Sequence, residues 1–294
     1  MAAAGTTLPA AGKMAKKTAI RGTKARGSAA GTGGVKGQSS LLQRYLDGDR
    51  ERVWHELRQL GGHVRDPDLI EQAEPVVREA MSRAGRNVQT LIERLRGQGY
   101  RFGDPWNEDG ARKPHAPPDE HTPAFVSWLE KRFGHLAMTA RTWIEVVGDV
   151  SLLGVHPDWP KNLVSDPLVV EFEYKSWRWA EKNRLAARDH FEGEHESWAD
   201  SRRDGHDFVG AFTLDVAPDA LHKANISGGA PYGVIVPDAS VDATFRYDDG
   251  VLVPFVEYLR LAFRNGGFPG TWRRDCGRTV EASRRALAEG LLEI

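Results

Sequence analysis

Three stretches of this sequence carry residue types able to do chemistry. The first runs from Asp215 to Tyr232 and gathers Asp215, Asp219, His222, Lys223, Asn225, Ser227, Gly228, Gly229 and Tyr232 in one segment. A glycine pair lets backbone N–H groups approach an anion closely, and a histidine titrating near neutrality serves as a general base. Paired with Asp215 or Asp219, His222 would support a hydrolase acting on a phosphorylated or glycosidic substrate. The same residues also read as a turn, with Gly228 and Gly229 at positive φ and with His222 and Lys223 ending a short helix that starts at Pro218.

The second stretch is His156-Pro157-Asp158-Trp159-Pro160, where two prolines stiffen a loop that presents a histidine, a carboxylate and an indole together. Tryptophan is a frequent anchor of protein interfaces. His156, Asp158 and Trp159, with His222, Lys223, Asn225 and Tyr232, are therefore the candidate partner-binding residues. The structural alternative is that Trp159 folds back onto the sheet and Asp158 makes a turn hydrogen bond.

The third stretch, HFEGEH, contains His190 and His195 and superficially suggests an inverted zincin. Its spacing defeats that reading. Ligands of that type lie at i and i+4 on one helix face, whereas these histidines are five apart with Gly193 between them. The surrounding DHFEGEHESWADSRRDGHD reads as a solvated acidic loop. Neither a G-x-S-x-G elbow nor a GxxxxGK[ST] or GxGxxG phosphate loop occurs. Cys276 is the one cysteine, which excludes an intramolecular disulfide and a cysteine-rich zinc site. Arg273, Arg274 and Arg278 would lower its pKa, but a catalytic thiol also needs an oriented base. No cofactor or metal is expected.

The elements that must position these residues emerge from hydrophobic periodicity. Val53, Trp54, Leu57 and Leu60 share a helix face after a cap at Asp49, and Val88, Leu91, Ile92 and Leu95 share another. Residues 67–83 read as one helix kinked at Pro75 or two short ones. Residues 41–103 thus form a small helical module, too small for assured independent stability and expected to pack on the domain at 121–294. Residues 104–120, rich in Pro, Gly and Asn, read as a linker.

Beyond it, Thr122-Pro123 starts a helix carrying Phe125, Trp128, Leu129, Phe133 and Leu136, and Thr139 caps a second that stops at Gly148. The period then changes to two: Val150 and Leu152; Val170, Phe172 and Tyr174; Phe208, Phe212 and Leu214; Val241, Ala243, Phe245 and Tyr247. Residues 176–190, about 254–265 and 280–292 are again helical. One wetted face per strand indicates an antiparallel or mixed sheet, and the element order makes the domain 121–294 α+β.

The net charge of −1 conceals an asymmetry. Seven of the 40 basic residues lie within residues 1–40, where there is no acid, so residues 41–294 hold 33 basic against 41 acidic groups. Residues 1–40, dominated by Ala, Gly, Lys and Thr, read as a disordered basic tail that would make at most weak nucleic-acid contacts. The acidic body suits a basic protein partner and not nucleic acid. No apolar run of 18 residues occurs, so no membrane span is expected, and with a single cysteine a cytoplasmic location fits best.

The stretch FVSWLEKRFGHLAMTARTWIEVVGDVSLLGVHPDW, Phe125 to Trp159, resembles the opening of the SUKH superfamily domain, the Smi/Knr-type fold of fungal cell-wall regulators and bacterial immunity proteins. Gly134 and Leu136 match its glycine and leucine, Trp143 takes the place of the helix aromatic, and Gly148 is the terminal glycine. Ala137 stands where that family usually carries proline. The blocks LHKANISGGAPYGVIVPD and FVEYLRLAFRNGGFPG are similar to the end of long bacterial members, and residues 41–103 to their N-terminal extension. The resemblance implies an α+β domain that binds proteins without catalysis, as a toxin's immunity partner or a regulatory scaffold.

Overall fold

Tyr45, Trp54, Leu57 and the apolar stripe Val76, Ala80, Met81, Ala84, Val88, Leu91 and Leu95 are all fully buried, and they organise the helical part of the fold. The computed structural model describes residues 40–103, 113–175, 186–205, 210–273 and 276–294. Residues 39–294 form one compact unit. Helices α1 (Leu41–Leu46) and α2 (Arg50–Gln59) precede α3 (Pro67–Gly97). The segment 67–83, expected to kink or break, continues into the 88–95 stripe as one helix. Pro75 lies within it, and burial of the apolar stripe on one side offsets the lost backbone bond.

The chain then forms β1 (Arg101–Phe102), β2 (His115–Ala116), α4 (Thr122–Phe133), α5 (Met138–Val146), β3 (Asp149–Ser151), β4 (Gly154–Val155) and β5 (Val169–Val170). Among the described residues all strand pairings are antiparallel. β1 pairs with β4, and β2 and β5 flank β3. Within the segment read as a linker, His115 and Ala116 form a strand paired with β3, and the helical part packs on the sheets in one core, as its small size predicts. Residues 104–112 of that linker lie outside the described residues, as do residues 1–39 of the basic tail.

Gly148 sits at the hinge between α5 and β3 with φ 84°. A side chain there would run into the carbonyl oxygen of Ala116 and the backbone of Pro117, so the close approach of β2 requires glycine. Thr139 is not a cap. It lies inside α5, where its hydroxyl accepts the Ala243 N–H at 2.9 Å and donates to Asp242.

The remaining elements are α6 (Ala186–Arg203), β6 (Thr213–Ala217), α7 (Ala220–Lys223), β7 (Tyr232–Ile235), β8 (Thr244–Tyr247), β9 (Val251–Pro254), α8 (Phe255–Arg264) and α9 (Gly277–Ala288). β6 to β9 form an antiparallel sheet in sequence order. A bond from Glu171 N–H to Val216 O ties the residue after β5 to β6. Phe245, Phe255, Tyr258 and Tyr232 make its aromatic core. The whole is α+β.

Over residues 189–203, α6 replaces the acidic loop read at 189–207, of which 206–207 lie outside the described residues. Phe191, His195 and Trp198 fall at i, i+4 and i+7, a stripe whose burial stabilises the helix despite Gly193. His195 packs on Phe133 and Phe212, and His190 on Tyr174. Both histidines act as aromatic packing groups, and burial holds the His195 ring below its usual pKa. Residues 176–185 of the helix expected at 176–190, and Phe208, fall outside the described residues. Among the described residues no helix is long and apolar enough to cross a membrane.

Candidate functional site

The two stretches singled out at 156–160 and 215–232 converge. His156, Trp159 and Pro160 from one, and Lys223, Ala224 and Ile226 from the other, line an open cavity of about 420 Å³ together with Tyr100 and residues 161–163 and 165–167. The loop after β4 supplies one wall and the end of α7 the other.

On the first wall, the His156 ring stacks on Trp159 with centroids 4.8 Å apart, and Trp159 meets Phe268 edge-on at 4.7 Å. The indole thus anchors the loop to the core while still lining the cavity. His156 Nδ1 accepts the Asp158 N–H at 3.1 Å, so the proton resides on Nε2, which donates to Gln98 Oε1 at 3.1 Å. Burial also lowers the pKa of this ring. The neutral imidazole therefore has both nitrogens engaged, and neither is free to accept the proton of nearby Ser283. Asp158 itself is exposed and does not line the cavity.

The opposite wall rests on a buried ion pair. Lys223 Nζ lies 2.6 Å from Asp166 Oδ1, and the two side chains are 0% and 1% exposed. The ammonium also sits 4.5 Å from the Tyr232 ring centroid. The Tyr232 hydroxyl donates to Asp166 Oδ2 and accepts the Ala220 N–H, both at 3.2 Å. Burial pushes the Lys223 amine below its ordinary pKa, and Asp166 opposes that shift. Asp166 adopts φ 50° and Asn225, between the lining residues Ala224 and Ile226, φ 58°. Non-glycine residues in this region cost of the order of 1–3 kcal/mol and persist where surrounding structure over-determines them.

Other candidates stand apart from the cavity. The Asp219 carboxylate caps α7 through the Leu221 N–H at 2.8 Å and contacts the His222 ring. That ring is half exposed and is not part of the lining. Asp215 is bound by Arg246 at 2.6 Å, so of the two carboxylates considered as partners of His222, Asp219 is the one that meets it. Asn225 is exposed, and Tyr232 supports the lining from below. Among the described residues no cluster of three or more His, Cys, Asp or Glu side chains is placed to hold a metal.

Sequence reasoning misses Asp166. It precedes Pro167, a position that biases a residue toward extended backbone, so nothing local marks it as the lysine's partner. Tyr100, legible only as the end of the helical module, likewise gives no sign of facing this loop. No protein-family model matches the chain, and neither a curated protein nor a solved structure matches it significantly.

Proposed function

We propose that this chain is a non-catalytic protein-binding module of the SUKH type, an immunity protein or regulatory scaffold whose partner is a basic protein such as a toxin's nuclease domain. The observation that carries this reading is that the acid–base candidates of these two stretches already have partners within the fold. His156 is engaged at both nitrogens, Lys223 is neutralised by Asp166, Asp215 by Arg246, and Asp219 is bound to the α7 cap and His222. Groups so bound stiffen a surface, and His222, the half-exposed ring of this set, stands outside the cavity. The resemblance over Phe125 to Trp159 supports the same class, and the excess of acid in residues 41–294 suits a basic partner.

Occlusion is the mechanism this implies. An acidic surface steers the basic partner, and the stiff 156–160 loop covers its active site. The test is co-expression with the polypeptides encoded beside this gene. A complex stable to size exclusion, protection from the neighbour's toxicity and an association rate falling with salt are expected. Absence of both co-purification and protection would overturn the reading.

A further inference from the structure

The lining of the cavity is polar in an uneven way. His156, Asp166 and Lys223 are satisfied by partners within the fold. Lys161, Asn162 and Ser165 line the same space from one segment, and among the described residues their side chains have no hydrogen-bond or ion-pair partner. The remaining wall is apolar, built from Tyr100, Trp159, Leu163, Pro167, Ala224 and Ile226. Ile226 is 46% exposed although it is a large aliphatic residue, so burying it against a ligand would be favourable.

Charge decides what such a ligand carries. Lys223 and Asp166 cancel, and the neutral His156 adds nothing, which leaves Lys161 as the uncompensated charge of the lining. A cationic lining on a body with an excess of acid is a local reversal of sign. A volume of about 420 Å³ lies within the range of small-molecule pockets, which combine apolar walls with a few placed polar groups.

The geometry points to a binding site for a monocarboxylate with an apolar, ring-sized body, the body held between Trp159 and Ile226 and the carboxylate by Lys161, Asn162 and Ser165. The assignment does not depend on the protein-binding reading. The same chemistry is presented by a free arylalkanoic acid and by the C-terminal residue of a polypeptide ending in Phe or Leu.

Calorimetric titration of the full chain with 3-phenylpropionate and with its uncharged amide tests this. The acid is expected to bind roughly tenfold tighter than the amide, as a charge-assisted contact provides. Lys161→Met should bring the two within about twofold, because this exposed lysine makes no contact needed for folding. Ala224→Trp, checked for an unchanged melting temperature, should abolish binding of both by filling the space; if it unfolds, Ile226→Asp replaces it with the same expectation. A hexapeptide ending in Phe with a free carboxylate, against its amidated form, separates the sources. Tighter binding than 3-phenylpropionate assigns a polypeptide terminus, and weaker binding a free acid. Failure of 3-phenylpropionate to bind, equal binding of acid and amide, a preference that survives Lys161→Met, or binding unaffected by the cavity substitutions would each overturn the assignment. None of these results bears on whether a basic protein partner exists.

Discussion

Lys223 and Asp166, 57 residues apart in sequence, meet at 2.6 Å with neither side chain exposed to solvent. They join the end of α7 to the loop before β5, and Tyr232 completes the arrangement from β7. Two walls of the cavity are therefore held by one charge pair. Removing one partner strands the other charge in a dry site. Lys223→Met or Asp166→Asn is expected to cost about 3–5 kcal/mol each, and Lys223→Met/Asp166→Asn less than the sum of the two. Urea denaturation of the four proteins measures this; additive costs would mean that the pair is not coupled.

A second buried carboxylate fastens the helical part to the sheet. Asp242 receives Arg58 of α2 at 2.8 Å and also accepts the Val256 N–H and the Thr139 hydroxyl. Burial raises its pKa and Arg58 counters that shift. Arg58→Met should destabilise the protein by about 3 kcal/mol. Because residues from 45 to 294 share one core, unfolding should remain a single transition by both tryptophan fluorescence and circular dichroism. A separate early transition of residues 41–103 would contradict the shared core.

The stability should also carry an acid-range signature from Asp149. Its carboxylate accepts N–H bonds from Phe172, Glu173 and Lys175, yet burial outweighs them and pushes the group up to about 6. The folded state then binds the proton more tightly than the unfolded chain. The resulting stabilisation is full below about pH 4 and is lost as pH rises through about 6, amounting to roughly 3 kcal/mol for a shift of about two pH units. Asp215, also raised to about 6 by burial, acts with the same sign. The unfolding free energy of the wild type relative to Asp149→Asn should therefore fall as pH rises from 4 to 7. A difference constant with pH would remove this account.

Two glycines separate backbone necessity from tolerance. Gly148→Ala forces a side chain into the Ala116 carbonyl at positive φ and is expected to cost at least about 3 kcal/mol. At Gly193, within α6, an added Cβ meets nothing within 4 Å. Gly193→Ala should stabilise by about 1 kcal/mol, the helix propensity difference. Thermal melts of both variants check the contrast.

Much of the framework is legible in the sequence because it rests on local rules. The helix starting at Thr122-Pro123, the glycine stop at 148, the short helix at 220–223 and the helix after Pro254 all arise from caps, prolines and apolar spacing within a few residues. Where the outcome depends on a distant partner, the local reading falls short. The stretch 189–203 is polar enough to pass for a loop, and it continues the helix because Phe133 and Phe212 offer His195 and Trp198 a surface to cover while Phe191 packs on Tyr174. β7 and β9 escape a local reading because Tyr232–Ile235 and Val251–Pro254 take their form from pairing with β8.

The sequence by itself determined the α+β class, the separation of a basic start from an acidic body, and the two residue groups worth watching. Only the tertiary structure decided that those groups share one cavity, that Lys223 is neutralised by an unmarked Asp166, and that His222 stands outside. Periodicity and capping act over one or two helical turns, and so are written in neighbouring residues. The pairing of charges 57 positions apart is set by how sheets and helices pack, and no local pattern encodes it.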